Sequence, residues 1–359
     1  MAPDDLQTPC LVVDLDCLER NLRSWQDAVA ANGVRFRPHI KTHKTLEIAR
    51  MQVATGAAGI TTAKVSEAEL YVDAGFEDVV VAYPVVAEQA CARLARLAAR
   101  ARVGVNVENH AAARRLSSAA VAEGAELGVF VDLDTGLGRC GVPAGDPALV
   151  DALADRVREL PGLRLRGITS YRSIGYAGGD GDATASGREE GETVVAAARR
   201  LGLDEAAAGS TPTGQAVAAV PGVTEVRAGT YVFNDLMQLG NGSAQPQDVA
   251  LSILTTVVSS NREGRVTVDG GSKTFSGDVV LDDEGGRMVA RSVDGSIVLD
   301  GLTEEHGVGR TSRPLAVGER IAFHPAHVCT TVNLSDQLFA VRDGRVEAVW
   351  PVAARGLRT

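Results

Sequence analysis

A short apolar strand and a basic turn stand near the start of the chain, in the stretch Gly33-Val34-Arg35-Phe36-Arg37-Pro38-His39-Ile40-Lys41-Thr42-His43-Lys44-Thr45. The chain has only four lysines among its 36 Lys and Arg residues, and two of the four, Lys41 and Lys44, lie in this turn. A lysine amine can lose its proton and form a Schiff base, whereas a guanidinium cannot. The turn is therefore either a solvated basic loop or the position of a reactive lysine.

Length, charge and cysteine spacing restrict the class of protein. The 359 residues suffice for one large domain, or for a barrel-sized domain and a smaller one. The net charge of -10 argues against a nucleic-acid partner or an anionic membrane surface. The amino terminus lacks a leader pattern, no apolar run is long enough to span a bilayer, and the five cysteines have no disulfide-framework spacing. We expect a soluble cytoplasmic protein with reduced thiols and without a nucleic-acid or membrane partner.

Short apolar runs alternate with helical periods over the first two thirds of the chain. After a first strand at 8–14 and a helix that ends near Gly33, eight such runs follow one another. They lie at residues 34–37, 59–62, 79–82, 103–107, 127–133, 164–169, 205–209 and 225–228. Eight strands with intervening helices predict an α/β fold, a (β/α)8 TIM-like barrel. An open doubly wound sheet is the alternative, which is disfavoured because no Gly-x-Gly-x-x-Gly pattern follows the first strand.

The pattern changes after Gly240-Asn241-Gly242. From residue 249 onward, short β-rich runs separated by turn residues replace the helical periods. These runs cover residues 249–258, 265–268, 278–281, 296–299, 320–323, 337–340 and 346–350. We therefore expect a barrel domain over residues 14–245 and a smaller, mainly antiparallel β domain over residues 246–359. Residues 1–13 are expected to pack with the β domain.

Residues suited to a phosphate-containing cofactor follow several of the predicted barrel strands. Active sites of (β/α)8 barrels gather at the carboxyl ends of the strands, and the loops after strands 7 and 8 frequently hold phosphate. The candidate cofactor-binding residues at these positions are Lys41, Arg139, Tyr171, Tyr176, Ser210, Thr211, Gly229, Thr230 and Tyr231. Each segment alone is also typical of an ordinary turn or helix cap. Together they predict pyridoxal phosphate (PLP) bound at one rim, with Lys41 as the Schiff-base and catalytic lysine.

A second set of candidate ligands lies in the predicted β domain. His327 and Cys329 are two residues apart, and on an extended segment their side chains would point to the same face. An imidazole and a thiolate suit zinc. A buried histidine beside a buried cysteine, with no metal, is the alternative interpretation. With two protein ligands, a metal would keep open positions for water and substrate, as catalytic zinc does.

These motifs together resemble a known family. Residues 37–44 are similar to the cofactor-lysine motif of the fold-type III PLP enzymes of the D-threonine aldolase and D-serine dehydratase group, relatives of alanine racemase. Further similar segments extend over essentially the whole chain, at residues 131–142, 209–213, 225–231, 269–273, 304–307 and 325–329.

The resemblance implies a barrel followed by a β domain, a Schiff base at Lys41, a contact from Arg139 to the oxygen of the pyridine ring, and phosphate held after strands 7 and 8. It also implies a divalent metal on His327 and Cys329, zinc or alternatively manganese. The dehydratases of the group resemble this chain in their His-x-Cys pair, whereas the aldolases usually carry His-x-Asp. The implied reaction is elimination of water from a D-β-hydroxy amino acid, giving a 2-oxo acid and ammonia, in a homodimer.

One segment departs from the family pattern. After strand 6 the dehydratases carry a histidine and the aldolases an acidic or Gly-His pattern, but this chain has Tyr171-Arg172-Ser173-Ile174-Gly175-Tyr176. Arg172 could bind the carboxylate of a larger or more acidic substrate, or form a structural salt bridge. His43 is the other candidate substrate contact. Retro-aldol cleavage to glycine and an aldehyde is the alternative function, followed by an amino-acid racemase and a non-catalytic PLP-binding protein.

Overall fold

The computed structural model of the protein describes residues 2–172, 174, 181–282 and 284–359. The chain divides into two compact units. The barrel unit comprises Ser24–Lys41, Ile48–Gly229 and Gly356–Thr359, and the β unit comprises Met1–Arg23, Thr42–Glu47 and Thr230–Arg355. None of the helices in the described part of the chain combines the length and the apolar character needed to cross a membrane.

Strands and helices alternate from the amino terminus to the end of the barrel unit, as the sequence predicts. The first strand is β1 (Cys10–Asp14), and the strands that follow are β2 (Arg35–Phe36), β3 (Ile60–Thr62), β4 (Asp78–Pro84), β5 (Arg102–Val107), β6 (Leu127–Asp134), β7 (Val142–Pro143), β8 (Leu163–Ser170), β9 (Glu205–Ala208) and β10 (Glu225–Val226). The helices are α1 (Leu15–Ala30), α2 (Leu46–Thr55), α3 (Val65–Asp73), α4 (Glu88–Ala98), α5 (His110–Glu123), α6 (Pro147–Glu159), α7 (Ala183–Arg200) and α8 (Gly214–Ala218).

In the described part of the chain, eight parallel strands form the wall of the barrel unit. Their order is β2-β10-β9-β8-β6-β5-β4-β3, and β7 pairs with the end of β6. The wall closes between β2 and β3 through a parallel bridge from His39 to Thr61. Each of the eight predicted runs overlaps one of these strands, so the predicted (β/α)8 barrel is confirmed. β6 is an example of a strand that the sequence predicts well. Every residue from Leu127 to Leu133 is buried, as expected of a parallel strand covered on both faces, so the strand appears in the sequence as a nearly continuous apolar run.

The interior of the barrel unit also buries charged side chains. Arg37, directly after β2, donates from Nε to Glu225 on β10 at 2.9 Å and from Nη1 to Asp78 on β4 at 2.8 Å. Arg227 donates to the other oxygen of Glu225 at 2.8 Å. Burial alone would raise the pKa of Glu225, but the guanidinium groups of Arg227 and Arg37 lower it to about 2. This ion cluster joins three strands of the wall and balances the buried charges against one another.

The β unit is built around a closed antiparallel sheet. Its strands are β11 (Leu251–Ser259), β12 (Arg265–Val268), β13 (Val280–Leu281), β14 (Arg287–Met288), β15 (Ala290–Ser292), β16 (Ile297–Leu302), β17 (Gly307–Thr311), β18 (Arg320–Pro325), β19 (Gln337–Arg342) and β20 (Arg345–Pro351). The ring runs β12-β17-β16-β15-β18-β11 and closes from β11 to β12. Short α-helices among the described residues accompany it: α9 (Leu236–Gly240), α10 (Ser272–Phe275) and α11 (Val328–Val332).

β1 extends this sheet on the other side of β11. It pairs antiparallel with β11, with Cys10 opposite Leu254, and parallel with β19, with Leu11 opposite Leu338. β20 then completes the sheet beside β19. The first strand of the chain therefore belongs to the β unit, while the segment that follows α1 enters the barrel.

The β unit differs from the sequence-based expectation in two places. β14, β15 and β17 were not predicted, and β17 is hidden because glycines occupy alternate positions. A Cβ at Gly309 would lie 2.4 Å from the carbonyl oxygen of Val298 on β16, so the close strand contact requires glycine there. The extended conformation predicted across His327 to Cys329 is wrong. His327 alone is extended, and Cys329 lies in the first turn of α11.

Candidate active site

Lys41 lies in a short 3-10 turn, Ile40–Thr42, just beyond the carboxyl end of β2. Its Nζ is 5.4 Å from the centre of the Tyr171 ring, beyond the end of β8. The guanidinium carbon of Arg139, from the loop after β6, is 5.0 Å from the centre of the same ring. The barrel therefore brings together three residues that lie far apart in the sequence, with two cationic groups close to one aromatic ring.

The loop that carries Arg139 is shaped by carboxylates and glycines. The carboxylate of Asp134 accepts hydrogen bonds from the backbone N–H groups of Gly136 at 2.9 Å and Gly138 at 3.1 Å. Glu108 accepts a short hydrogen bond from the N–H of Gly141. Gly136, Gly138 and Gly141 have positive φ angles of 117°, 68° and 109°, which favour glycine. Asp134 and Glu108 thus fix the backbone of the loop that carries the exposed Arg139.

The candidate phosphate loop after β9 is buried and ordered by its own hydroxyl groups. Ser210 and Thr211 are 4% and 6% exposed. The hydroxyl of Thr213 accepts the N–H of Ser210 at 3.0 Å and lies 2.9 Å from the hydroxyl of Ser210. A Cβ at Gly209, whose φ is 97°, would come within 2.9 Å of Gly214 Cα. Glycine therefore permits the tight turn that brings these groups together.

The candidates after β10 fall in two units. Gly229 is buried at the last position of the barrel unit's main segment, whereas Thr230 and Tyr231 belong to the β unit, in a 3-10 turn. The hydroxyl of Thr230 is 3.9 Å from the sulfur of Cys329, and Tyr231 is 1% exposed.

A buried carboxylate that the sequence analysis did not single out connects two of these loops. Glu190 on α7 is fully buried, and its Oε1 accepts from the Ser170 hydroxyl and from the Arg172 backbone N–H, both at 2.9 Å. Its Oε2 accepts from the Thr213 hydroxyl at 3.3 Å, and the Gly209 N–H is a further donor. Burial raises the pKa of Glu190 to about 7 although these donors oppose the shift.

Buried polar atoms without hydrogen-bond partners indicate that the barrel interior can accept a polar ligand. Among the described residues, Nη2 of Arg227, Oδ1 of Asn106 and the hydroxyl of Thr135 are such atoms. They belong to or directly follow the strands β10, β5 and β6. Asn106 donates to Asp132 at 3.2 Å, and burial raises the pKa of Asp132 to about 6. Ring heteroatoms and a phosphate are groups with which such atoms and the hydroxyl-rich loop can form hydrogen bonds.

His327 and Cys329 are brought together where β18 ends and α11 begins. Nδ1 of His327 lies 3.1 Å from a carboxylate oxygen of Asp278. Burial would lower the pKa of His327, but its charge interaction and hydrogen bond with Cys329, and the carboxylates of Asp235 and Asp278, raise it to about 9. The sulfur of Cys329 also lies 3.2 Å from the hydroxyl of Thr42, the residue that directly follows Lys41.

The donor set of this pair fits a divalent metal. Because Asp278 occupies Nδ1, the other ring nitrogen of His327 can face a metal together with the Cys329 thiolate. Within the described part of the chain, no three His, Cys, Asp or Glu side chains are grouped closely enough to enclose an ion. With two protein ligands, a metal on His327 and Cys329 would have positions left for water or substrate.

The remaining candidates occupy varied surroundings. His43 is fully buried, and its Nδ1 accepts the N–H of Thr45 at 3.1 Å. Arg172 forms a salt bridge with Glu189 at 2.7 Å, as the second of the two interpretations of this residue expects. Tyr176 lies outside the described residues. Lys44 is buried, and its Nζ donates to Asn333 at 2.8 Å, which distinguishes it from Lys41.

Sequence reasoning missed three acidic residues that hold these segments. Asp235 caps α9 through the N–H of Gln238 at 3.0 Å and accepts the N–H of Val328 at 2.9 Å. Its position before Leu236 is a readable helix-cap signal. Asp278 and Glu190 have no comparable signal, because each resembles a surface carboxylate in its local sequence.

Comparison with known proteins identifies the family to which the chain is similar. The alanine racemase N-terminal domain model matches residues 13–236, and the serine dehydratase domain model matches residues 250–341. The D-threonine aldolase of Arthrobacter sp is 35% identical over 366 residues, covering 98% of this chain and 93% of the relative. The D-threo-3-hydroxyaspartate dehydratase of Delftia sp. is 33% identical, covering 91% and 92%.

A solved structure extends the likeness to three dimensions. The crystal structure of D-threonine aldolase from Filomicrobium marinum has a TM-score of 0.88 and 33% identity, covering 99% of this chain and 98% of that chain. The matched models and relatives span both units described above. The chain therefore belongs to the fold-type III PLP-dependent enzymes related to alanine racemase, in the group that contains the D-threonine aldolases and D-serine dehydratases.

Proposed function

We propose that the protein is a PLP- and metal-dependent lyase that eliminates water from a D-β-hydroxy amino acid, giving a 2-oxo acid and ammonia. The observation that carries the proposal is the grouping of Lys41, Tyr171 and Arg139 at the carboxyl ends of the barrel strands. A lysine amine beside an aromatic ring and an arginine suits a cofactor aldehyde and its ring. The His327–Cys329 pair favours dehydration within the family.

The roles of the chain's own residues follow from their positions. Ser210, Thr211 and Gly229 would hold the phosphate group of the cofactor. Thr230 and Tyr231, in the turn after Gly229, would also bind the cofactor. Arg139 would contact the oxygen of the cofactor ring. PLP, when bound, supplies an electron sink that makes the α-proton of an amino acid removable. The Lys41 amine would take that proton from Cα, and its flexible stem lets Nζ reach the carbon.

His327 and Cys329 would hold a divalent metal, for which we propose zinc, with manganese as the alternative. A Lewis acid of this kind supplies the charge stabilisation that a leaving hydroxyl group needs. Asp278 would keep the His327 ring in the orientation that ligation requires. Arg172 and His43 stay predictions as substrate contacts; for Arg172, the side chain would have to leave Glu189 to meet a substrate carboxylate.

Retro-aldol cleavage is the second candidate, because the Arthrobacter relative is a D-threonine aldolase. The two reactions share the lysine and the cofactor and differ in the bond that breaks. Dehydration breaks the Cβ–O bond, whereas aldol cleavage deprotonates the β-hydroxyl and breaks the Cα–Cβ bond.

Product analysis with D-serine, D-threonine and D-threo-3-hydroxyaspartate separates these reactions. We expect a 2-oxo acid and ammonia in equal amounts, with the L-enantiomers inert. Detection of glycine and an aldehyde instead would show that the protein is an aldolase rather than a dehydratase. Loss of optical rotation without either product set would indicate a racemase. Turnover that survives removal of metal by EDTA would overturn the metal assignment.

The molecular context is also part of the proposal. Within this family we propose a cytoplasmic homodimer that acts on a small D-amino acid. Light scattering of the purified protein would give twice the mass of one chain, and a monomer that keeps full activity would contradict it.

A further inference from the structure

A chain of hydroxyl groups runs from buried Glu190 to the candidate phosphate loop. Oε2 of Glu190 lies 3.3 Å from the Thr213 hydroxyl, which lies 2.9 Å from the Ser210 hydroxyl. The Thr213 oxygen also accepts the N–H of Ser210 at 3.0 Å. Each hydroxyl has one proton and two lone pairs, so the direction of each hydrogen bond in the chain depends on the protonation of Glu190.

With Glu190 ionised, the Thr213 hydroxyl must donate its only proton to the carboxylate. The contact between Thr213 and Ser210 must then be donated by Ser210. The Ser210 oxygen would present only lone pairs to an incoming anion, which repels it.

With Glu190 protonated, the directions reverse. The carboxyl donates to Thr213, Thr213 donates to Ser210, and the proton of Ser210 is free for a phosphate oxygen. The two lone pairs of Thr213 are then used by Glu190 and by the Ser210 N–H. Every group in the chain is satisfied, and a proton donor faces the ligand.

We propose that Glu190 is a positioning residue that couples phosphate binding at Ser210 to the uptake of one proton from solvent. The inference rests on the proposed PLP function. Glu190 does not touch the ligand and acts through Thr213 and Ser210.

The surroundings of Glu190 support a titration of this kind. Among the described residues, Arg172, whose backbone N–H donates to Glu190, pairs through its side chain with Glu189 at 2.7 Å. On the packed strands β8 and β9, Arg166 and Glu205 also pair with each other, at 2.9 Å. The other ionisable residues of these elements are Arg164 on β8 and Arg188, Glu192, Arg199 and Arg200 on α7, and α8 has none. The pKa of Glu190, raised to about 7 by burial, lies where a bound anion can complete protonation.

The test compares PLP with pyridoxal, which lacks the phosphate, as ligands of the apoprotein between pH 7 and 8.5. The ratio of their dissociation constants cancels the pH dependence of the lysine and of the ring. The phosphate itself stays largely dianionic in this range, since its second pKa is about 6. For the wild type we expect the advantage of PLP over pyridoxal to fall by up to about tenfold per pH unit.

Glu190→Gln places a permanent N–H donor toward Thr213 while its carbonyl still accepts from Ser170 and Arg172. We expect the ratio for this variant to change by less than about twofold over the same range, because no proton is taken up. Glu192→Gln, an exposed position on the same helix, is the matched control and should follow the wild type. Thr213→Val interrupts the chain without changing Glu190 and should also give a flat ratio, with weaker PLP binding.

Calorimetry at pH 8 in buffers of different ionisation enthalpy provides an independent count of protons. The wild type should take up about one more proton on binding PLP than on binding pyridoxal. Glu190→Gln should take up the same number of protons with both ligands. A flat ratio in the wild type, or an unchanged slope in Glu190→Gln, would overturn the proposal. Equal affinity for PLP and pyridoxal would refute the phosphate-binding role of the loop after β9, and with it this inference, but not the proposed role of Lys41. Failure of the wild type to bind either compound would instead refute the proposed function.

Discussion

Lys41 and Lys44 are three residues apart and have different surroundings. Lys44 is buried, has a φ of 53°, and donates to Asn333 at 2.8 Å. Its amine therefore serves the β unit as a structural donor. Lys41 is half-buried, and its Nζ faces an aromatic ring at 5.4 Å. This difference supports the proposal that Lys41, rather than Lys44, is the Schiff-base lysine.

Replacing Lys41 by alanine is predicted to remove both the absorbance band of covalently held PLP and the turnover. The base for the α-proton is lost, so we expect kcat to fall by at least about 10²-fold. Absorbance spectra and product assays of the purified variant measure the two effects. Lys273→Ala, at an exposed residue paired with Glu305, should behave as the wild type. A normal spectrum in Lys41→Ala would remove the basis of the proposed function.

Cys329→Ala is predicted to lower the bound metal from about one ion per chain to near zero, because one imidazole alone is a weak site. Elemental analysis after gel filtration measures the metal content directly, without reference to activity. Cys10→Ala is the control, since Cys10 lies on β1 and has no metal-binding partner in the proposal. Equal metal content in the two variants would show that the ion binds elsewhere.

At the scale of elements, β17 depends on glycine rather than on apolar side chains. Gly309 faces Leu299 on β16 across the sheet. A side chain there would collide with backbone atoms, which cannot move as a flexible side chain can. This explains why a pattern of apolar residues did not predict the strand.

Gly309→Ala is therefore predicted to destabilise the protein by about 1–3 kcal/mol or more. Gly301→Ala is a matched control on β16, because a Cβ at Gly301 would meet no non-neighbouring atom of the described residues within 4 Å. Urea unfolding of both variants measures the difference. If Gly309→Ala were as stable as Gly301→Ala, the close contact between the two strands would not be real.

At the scale of the whole molecule, the buried ion cluster around Glu225 contributes to the free energy of unfolding. Glu225→Gln leaves Arg37 and Arg227 without their shared carboxylate, and we expect a cost of about 3–5 kcal/mol in the free energy of unfolding. Glu159→Gln, whose partner Arg156 is on the surface, should change it by less than about 0.5 kcal/mol. Similar values for the two variants would contradict a cooperative role for the cluster.

The same cluster predicts an acid limb of the stability curve. The pKa of Glu225 is lowered from 4.5 to about 2 in the folded protein, so its ionised form stabilises the fold. This contribution is fully present above pH 4.5 and is lost as the pH falls toward 2. Unfolding measured across that window should show a steeper loss in the wild type than in Glu225→Gln. Parallel curves would show that another group is responsible.

The fold was predictable because its main signals are local. Apolar runs such as Leu127–Leu133 are buried along their whole length, so a strand can be recognised without knowledge of its neighbours. Short or glycine-rich strands such as Arg287–Met288 and Gly307–Thr311 have no such signal. The extended segment expected at His327 to Cys329 was wrong because a helix begins at Val328.

The amino-acid sequence by itself determined the alternation of strands and helices, the number of barrel strands, the change to a β-rich segment, and a lysine after β2 as the reactive candidate. Only the tertiary structure decided which side chains meet: Tyr171 with Lys41 and Arg139, Asp278 with His327, and Glu190 with Thr213 of the loop after β9. The local pattern of apolar and polar residues along the chain predicts which segments are buried and which form strands or helices. The partner of a buried polar group is set by closure of the barrel across long sequence separations, so no local pattern identifies it.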